Sequence, residues 1–476
     1  MTTPDEPVQH YAPRVKVHPK AVWGYFRRLK WLALWLLLGA YYLLPWLRWD
    51  RGDGAPGQAL LIDMPARKAY FFFIEIWAQE VYYLTGVLII AAIALFFATA
   101  VAGRVWCGFA CPQTVWTDLF MWVERKIEGD RAARMRRDQG PVTISRISKK
   151  LAKHVTWLLI ALATGGAWVF YFNDAPTLLV ELVLGRGSFT VYSFIFGFTA
   201  STYLMAGWAR EQVCTYMCPY ARFQGAMIDD DSLIVSYDTG RGEPRGAYRK
   251  GETWDGRGHC VSCRQCVVVC PTGIDIRDGQ QLECIGCGLC ADACDGVMEK
   301  LNLASGLVRF DTLSNLNAQA RGETPHYKFF RPRTIVYSLI LVIVGMAMLA
   351  ALMLRSETSV SVLRDRNPLY VKLSDGSIRN GFTFKVLNMK RQQKSFDLSL
   401  SGIEGARMTV IGQAKKPVAR VSLSVRPDQV GTYRVFVHAP AGSLPSESQS
   451  LRFVLVDRLL NITTTHQTTF RGPPAR

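Results

Sequence analysis

The chain has 476 residues, 49% of them hydrophobic, and a formal net charge of +18. That length allows two or three domains, and the bunching of apolar residues into long runs excludes an ordinary soluble enzyme; with such runs the charge points to basic loops at a membrane face rather than to nucleic acid. The 12 cysteines all fall between Cys107 and Cys294, which excludes the dispersed disulfide framework of a small secreted protein.

Residues 1–30 read as a cytoplasmic N-terminal segment. It lacks the pattern of a cleavable signal and ends on the basic cluster Arg27-Arg28-Leu29-Lys30. Five apolar runs follow, 31–49, 82–102, 155–172, 189–208 and 334–354, each near the 20 or so residues that cross a bilayer as a helix. Pro45 near the end of the first is tolerated in a membrane helix. The expected architecture is an α-helical integral membrane protein with five spans: a four-span domain over 31–208, an inserted cytoplasmic domain over 209–333, a fifth span at 334–354 and an external domain over 355–476.

Basic residues set the expected orientation. Between the second and third runs stand Arg104, Arg125, Lys126, Arg131, Arg134, Arg136, Arg137, Arg146, Lys149, Lys150 and Lys153, whereas the loop between the third and fourth has only Arg186. Basic loops stay in the cytoplasm. The N-terminus and 209–333 are therefore placed there, and an odd number of spans puts 355–476 in the periplasm of a Gram-negative bacterium.

The second and fourth runs each end in Cys-x3-Cys-Pro: Cys107 and Cys111 before Pro112, Cys214 and Cys218 before Pro219. Proline suits the first position of a helix, and Val115, Trp116, Leu119, Phe120, Val123 and Ile127 continue the first motif as an amphipathic helix. Cys111 and Cys218 are thus expected at helix N-caps, where a thiolate is favoured. Four such thiols on one face suit a soft metal such as Cu(I), with Met205, Met217 and Met227 as candidate thioethers or plain apolar filler. Ordinary buried cysteines, or a disulfide switch within each pair, are the alternatives. Asp229-Asp230-Asp231 reads as a solvated helix end.

Cys260-x2-Cys263-x2-Cys266-x3-Cys270-Pro271 is the run of a bacterial two-cluster ferredoxin, and Cys284, Cys287, Cys290 and Cys294 repeat it with Asp295 in place of proline. In such runs the fourth cysteine ligates the other cluster. One 4Fe–4S cluster is therefore assigned to Cys260, Cys263, Cys266 and Cys294, the other to Cys284, Cys287, Cys290 and Cys270. Structural zinc is the weaker alternative, because zinc sites seldom use two identical quadruple runs. His259 reads as a loop residue rather than a ligand, and Asp295 as a looser turn.

The tail alternates. Phe382 to Val386, 418–425, Tyr433 to Val437 and 451–455 read as strands separated by turns at Asp375-Gly376 and Asn380-Gly381. About seven short strands suggest an immunoglobulin-like β-sandwich. Asn461-Ile462-Thr463 matches a glycosylation sequon by chance.

Several of these residues carry a likeness to a known family. His18-Pro19-Lys20-Ala21-Val22, Phe26 to Trp31, Leu84-Thr85-Gly86, Ala100 to Arg104, Trp106 to Val115 and Trp122-Val123-Glu124-Arg125, with the second Cys-x3-Cys-Pro, the ferredoxin pair and the β tail, resemble the CcoG/FixG/RdxA family of cbb-type cytochrome c oxidase accessory proteins. The resemblance implies a cupric reductase in the bacterial inner membrane that turns Cu(II) into Cu(I) in the cytoplasm before copper delivery. Copper is then substrate or transient ligand of Cys107, Cys111, Cys214 and Cys218. Implied partners are membrane lipid, oxidase assembly factors or copper chaperones and an unnamed electron donor; no nucleic acid is expected, and a homodimer is left open. Two other functions compete. Membrane ferredoxins of the nitrate and nitrous-oxide pathways share paired Cys-x3-Cys-Pro units and oxidise quinol, and a non-catalytic scaffold would use the β tail alone.

Overall fold

Among the described residues four helices are long and apolar enough to cross a bilayer: Tyr25–Trp46, Ala78–Ala102, Phe189–Ala209 and Pro332–Met353. Each is apolar around its circumference, so side chains such as Leu36, Leu88, Phe196 and Val342 stay exposed, as expected of surfaces meant for lipid. In this computed structural model the described residues are 16–474, apart from 53, 250, 356, 357 and 445; the first half of the expected N-terminal segment lies outside them.

The remaining expected span, 155–172, behaves differently. It forms the C-terminal part of the helix Ile144–Val169, whose first turns carry Arg146, Lys149, Lys150 and Lys153. At 1.5 Å per residue, residues 155–169 reach roughly 22 Å, short of the hydrocarbon core of about 30 Å. By length and apolarity four helices qualify among the described residues, and this one is not among them. This helix packs instead on Phe189–Thr202. A Cβ at Gly165 would come 2.7 Å from the Ile195 carbonyl oxygen, so only glycine allows the two backbones to approach this closely.

Pro112–Glu128 is the amphipathic helix its spacing predicts, with Val115, Leu119, Phe120 and Val123 buried, but Asp118, Glu124 and Glu128 are buried as well. They collect cations from distant segments. Asp118 meets Arg27 at 2.9 Å, Lys30 at 3.8 Å and Arg125 at 3.9 Å. Glu124 meets Arg134 at 2.7 Å, Arg210 at 3.0 Å and Lys153 at 3.5 Å. Burial opposes ionisation of Glu124, yet Arg210, Arg134 and Lys153 outweigh it and bring its pKa down to about 2. Arg104, Arg134 and Lys153, which the sequence places in a basic loop, are buried.

One feature between the first two apolar helices has no forecast in the sequence: an antiparallel sheet of Leu60–Asp63, Lys68–Phe71 and Ile74–Trp77. After Phe189–Ala209, Ile234–Tyr237 pairs antiparallel with Val308–Asp311 and brackets both ferredoxin runs. Residues 1–348 form one compact unit that holds the apolar helices and the ferredoxin segment together, and 349–476 form a second.

The second unit is a two-sheet β-sandwich with nine strands among the described residues. One sheet runs Arg407–Val410, Gln429–Ala439, Ile378–Asn388, Thr358–Arg364, with Val371–Lys372 also on Ile378–Asn388; the other runs Arg420–Val425, Lys394–Ser401, Ser448–Asp457, Thr463–Arg471. Phe382, Phe384, Phe396, Phe453 and Phe470 fill the space between them. Asp375-Gly376 makes the expected turn, with Gly376 at φ +83°. Asn380-Gly381 does not: it lies inside Ile378–Asn388, opposite Val437 and Phe436. The Asn380 side chain donates to the Arg471 carbonyl and accepts from its N–H, so tertiary pairing overrides the local turn preference.

Candidate metal centre

The two ferredoxin runs fold as a structural repeat. Ser262 and Arg264 flank Cys263 with φ of +54°, and Gly286 and Gly288 flank Cys287 with φ of +66° and +71°. Left-handed residues at both positions curl each loop and turn successive amides inward. Helices begin just before the third cysteine of each run, at Gln265–Val268 and Leu289–Lys300. The first stops ahead of Cys270-Pro271. The second runs on through Cys294-Asp295, and Asp295 accepts from the Gly306 N–H at 2.7 Å; the substitution of aspartate for proline extends and pins the helix rather than loosening a turn.

Each run sends its fourth cysteine to the other. Cys260, Cys263, Cys266 and Cys294 line a cavity of about 360 Å³, and Cys270, Cys284, Cys287 and Cys290 line one of about 350 Å³, with Cys266 on both walls. Burial and neighbouring sulfurs push Cys284 and Cys294 up to about 12 and raise Cys290 well above the ordinary thiol range. Such crowded sulfurs resist ionisation alone, and bound iron inverts that balance. Four sulfurs in a mostly apolar wall, with Arg264 and Arg277 beside the first set and Thr272 beside the second, fit a 4Fe–4S cluster in each cavity. Cys270→Ser is expected to damage the cluster at Cys284, Cys287 and Cys290, and Cys294→Ser the cluster at Cys260, Cys263 and Cys266. Spectroscopy of the two variants checks this; loss of the same signal in both would break the crossed assignment. His259 accepts from the Arg241 side chain at 3.0 Å and lines neither cavity.

The membrane-edge motifs also repeat in three dimensions. Each apolar helix ends on a positive-φ residue four before the first cysteine, Gly103 at +56° and Arg210 at +45°. A wide turn follows, closed by Cys111 N–H to the Trp106 carbonyl and Cys218 N–H to the Val213 carbonyl, both at 2.8 Å. These five-residue bonds mark a π-type turn, a geometry frequent at functional sites. Cys111 is the N-cap of Pro112–Glu128. Cys218 falls one residue short, because Pro219 caps Tyr220–Met227. At the first cysteine of each motif, burial and neighbouring sulfurs push Cys107 up to about 12 and Cys214 up to about 11, against the pull of Arg104.

All four thiols lie within electrostatic reach of one another. Among the described residues, no three His, Cys, Asp or Glu side chains converge tightly enough to hold an ion. Cys107 donates to the buried Gln224 side chain at 3.2 Å. Met205 and Met217 are exposed. Asp229 pairs with Arg331 and Arg333, which ties the aspartate run to the start of the last apolar helix.

Cys107 and Cys214 pack against Ile285, Cys287 and Leu289 of the second ferredoxin run. A Cβ on Gly108 would lie 2.7 Å from the Gly286 carbonyl oxygen and 3.0 Å from the Cys287 Cα, so the two loops touch backbone to backbone. Arg104 clamps the junction, donating to the carbonyls of Leu282, Cys284 and Ala221. Asp292 adds a second clamp: its carboxylate accepts from the N–H groups of Phe26 and Arg27 at 3.1 and 2.7 Å and so satisfies the first turn of the first apolar helix.

Family models agree with this division. One described as a 4Fe-4S dicluster domain matches residues 209–313, one described as a 4Fe-4S binding domain matches 84–129, and one for the IG-like fold at the C-terminus of FixG matches 348–473. The nitrogen fixation protein FixG of Rhizobium meliloti (strain 1021) is 46% identical across 98% of this chain and 94% of its own length. The chain belongs to the FixG/RdxA family. Protein RdxA of Cereibacter sphaeroides is likewise 46% identical, over 92% of either chain. Ferredoxin-type protein NapH of Haemophilus influenzae is 27% identical over 44% of this chain and 65% of its own. This FixG/RdxA member is therefore an iron–sulfur electron-transfer protein with apolar helices and an immunoglobulin-like tail. Within it Arg104, Gly108, Gln224 and Asp292 escaped sequence reasoning. Only the repeat of a helix-ending residue four before each first cysteine, Gly103 and Arg210, hinted that the motif is longer than its cysteines.

Proposed function

We propose that the chain is a cupric reductase of cbb-type cytochrome c oxidase assembly, taking Cu(II) to Cu(I) at Cys107, Cys111, Cys214 and Cys218. The observation that carries this reading is the contact of Cys107 and Cys214 with the Cys287 loop. The 4Fe–4S clusters, when bound, supply one-electron transfer. The chain does the rest. Gly108 and Gly286 bring the thiol turn against the cluster loop, Arg104 locks that loop in place, and soft sulfurs in a half-buried site favour the Cu(I) product. Each Cu(II) takes up one electron. The reading includes an inner-membrane location with the shorter 155–169 segment as a fifth span, cytoplasmic clusters and a periplasmic immunoglobulin-like domain. Oxidase assembly factors or copper chaperones are the partners that receive copper.

Likeness to the ferredoxin-type NapH over the membrane motifs favours a second reading, a quinol-oxidising respiratory subunit. The experiment separates them. Full-length protein, purified anaerobically and reduced with dithionite, is mixed with Cu(II) and a Cu(I)-specific chelator, or with a quinone. Stoichiometric Cu(I) as the iron–sulfur absorbance reoxidises supports the first reading. Inertness to copper with rapid exchange of electrons with quinone moves the assignment to the second. Iron beyond two clusters' worth would give the four thiols to iron instead.

A further inference from the structure

A cavity of about 890 Å³ outside the ferredoxin segment opens beside the C-terminal end of Phe189–Ala209. Its walls carry Lys16, Lys150, Lys153 and Arg210 against two carboxylates, Glu124 and Glu211, and its apolar side is Trp157 and Trp208. The four cations are unequally satisfied. Lys153 and Arg210 both bind the buried Glu124, at 3.5 and 3.0 Å, and Lys153 also meets Glu128 at 3.0 Å. Among the described residues, Lys16 and Lys150 share one carboxylate, Asp138, at 2.7 and 3.6 Å. With Arg134, Glu128 and Asp138 counted in, cations still outnumber carboxylates around this space.

The surface leading to the cavity is apolar. Leu151, Val155 and Leu158 are exposed along the Ile144–Val169 helix next to the lining residues, and Leu204 is exposed one turn before Trp208, itself 59% exposed. Tryptophans at the end of an apolar helix mark the level where lipid headgroups begin, and basic pockets between helices at that level take anionic headgroups. The geometry points to a phosphate-anion site here, filled by the headgroup of an anionic phospholipid whose acyl chains lie along Leu151, Val155 and Leu158. A soluble phosphate would use the cations and leave the apolar approach without a role.

Three probes test this on the full-length, cluster-loaded protein in neutral detergent after delipidation: dihexanoyl phosphatidylglycerol, dihexanoyl phosphatidylcholine and inorganic phosphate, each by titration calorimetry. Phosphatidylglycerol is expected to bind at least about tenfold tighter than phosphatidylcholine, since each lysine near an anionic headgroup contributes roughly a fivefold change in affinity. Lys16→Gln with Lys150→Gln should erase most of that preference. Asp138→Asn should act in the opposite direction and tighten phosphatidylglycerol binding, because it releases both lysines. An unchanged iron–sulfur spectrum shows that each variant is folded. Equal affinity for inorganic phosphate and phosphatidylglycerol, lost together in the double lysine variant, would overturn the lipid as occupant. No preference for phosphatidylglycerol, or a preference indifferent to both the lysine and the aspartate changes, would overturn the site.

Discussion

In the Cys214→Ser, Cys218→Ser double variant, Cu(I) binding is expected to fall by at least about 10²-fold, because loss of outer partners alone costs a metal site 10–100-fold and these are direct ligands under the proposed function. Neither residue lines a ferredoxin cavity, so iron content and the iron–sulfur spectrum should stay at the level of the unaltered protein. Serine keeps the size and polarity of the side chain and removes only the soft donor, which makes a folding defect a poor explanation for lost copper. Competition with a Cu(I) chelator, iron analysis and electron paramagnetic resonance read the three quantities separately. Retained Cu(I) affinity would remove copper from this site. Loss of iron with the clusters of the ferredoxin segment still intact would show that the four thiols hold iron, as the 4Fe-4S description of the family model over 84–129 suggests for Cys107 and Cys111.

Asp118→Asn should be the most destabilising single change in the first unit outside the clusters. The carboxylate is 1% exposed and faces Arg27, Lys30 and Arg125, so its loss leaves buried cations without an anion, at a cost of about 3–5 kcal/mol. Asp397→Asn, which breaks an exposed pair with Arg458, should change stability by no more than about 1 kcal/mol. Thermal unfolding followed at the cluster absorbance and by circular dichroism distinguishes the two. Equal, small shifts would mean that water reaches Asp118 and its cations. The same pair of carboxyls sets an acid limit. Asp118 and Glu124 are both held below the ordinary carboxylate range by their cations, so their stabilising contribution is complete above an unfolded-state pKa near 4 and is lost as pH falls through the folded values, which for Glu124 is about 2.

The sequence by itself determined whatever depends on spacing along the chain. Two cysteines apart and then three is a local geometry, so the runs beginning at Cys260 and Cys284 foretold two four-sulfur cavities and the exchange of Cys270 and Cys294 between them. Alternation foretold strands at 382–386 and 451–455 and a sandwich built from them, and apolar length foretold four of the helices. Only the tertiary structure decided what depends on which distant segments meet. Arg471 drew Asn380 into a strand; Asp118 and Glu124 gathered basic residues of distant segments into buried pairs; and burial raised Cys107 and Cys214. Above all, Gly108 could meet Gly286 only after some 180 intervening residues had folded, because contact energies act on distance in space while a sequence records only distance along the chain.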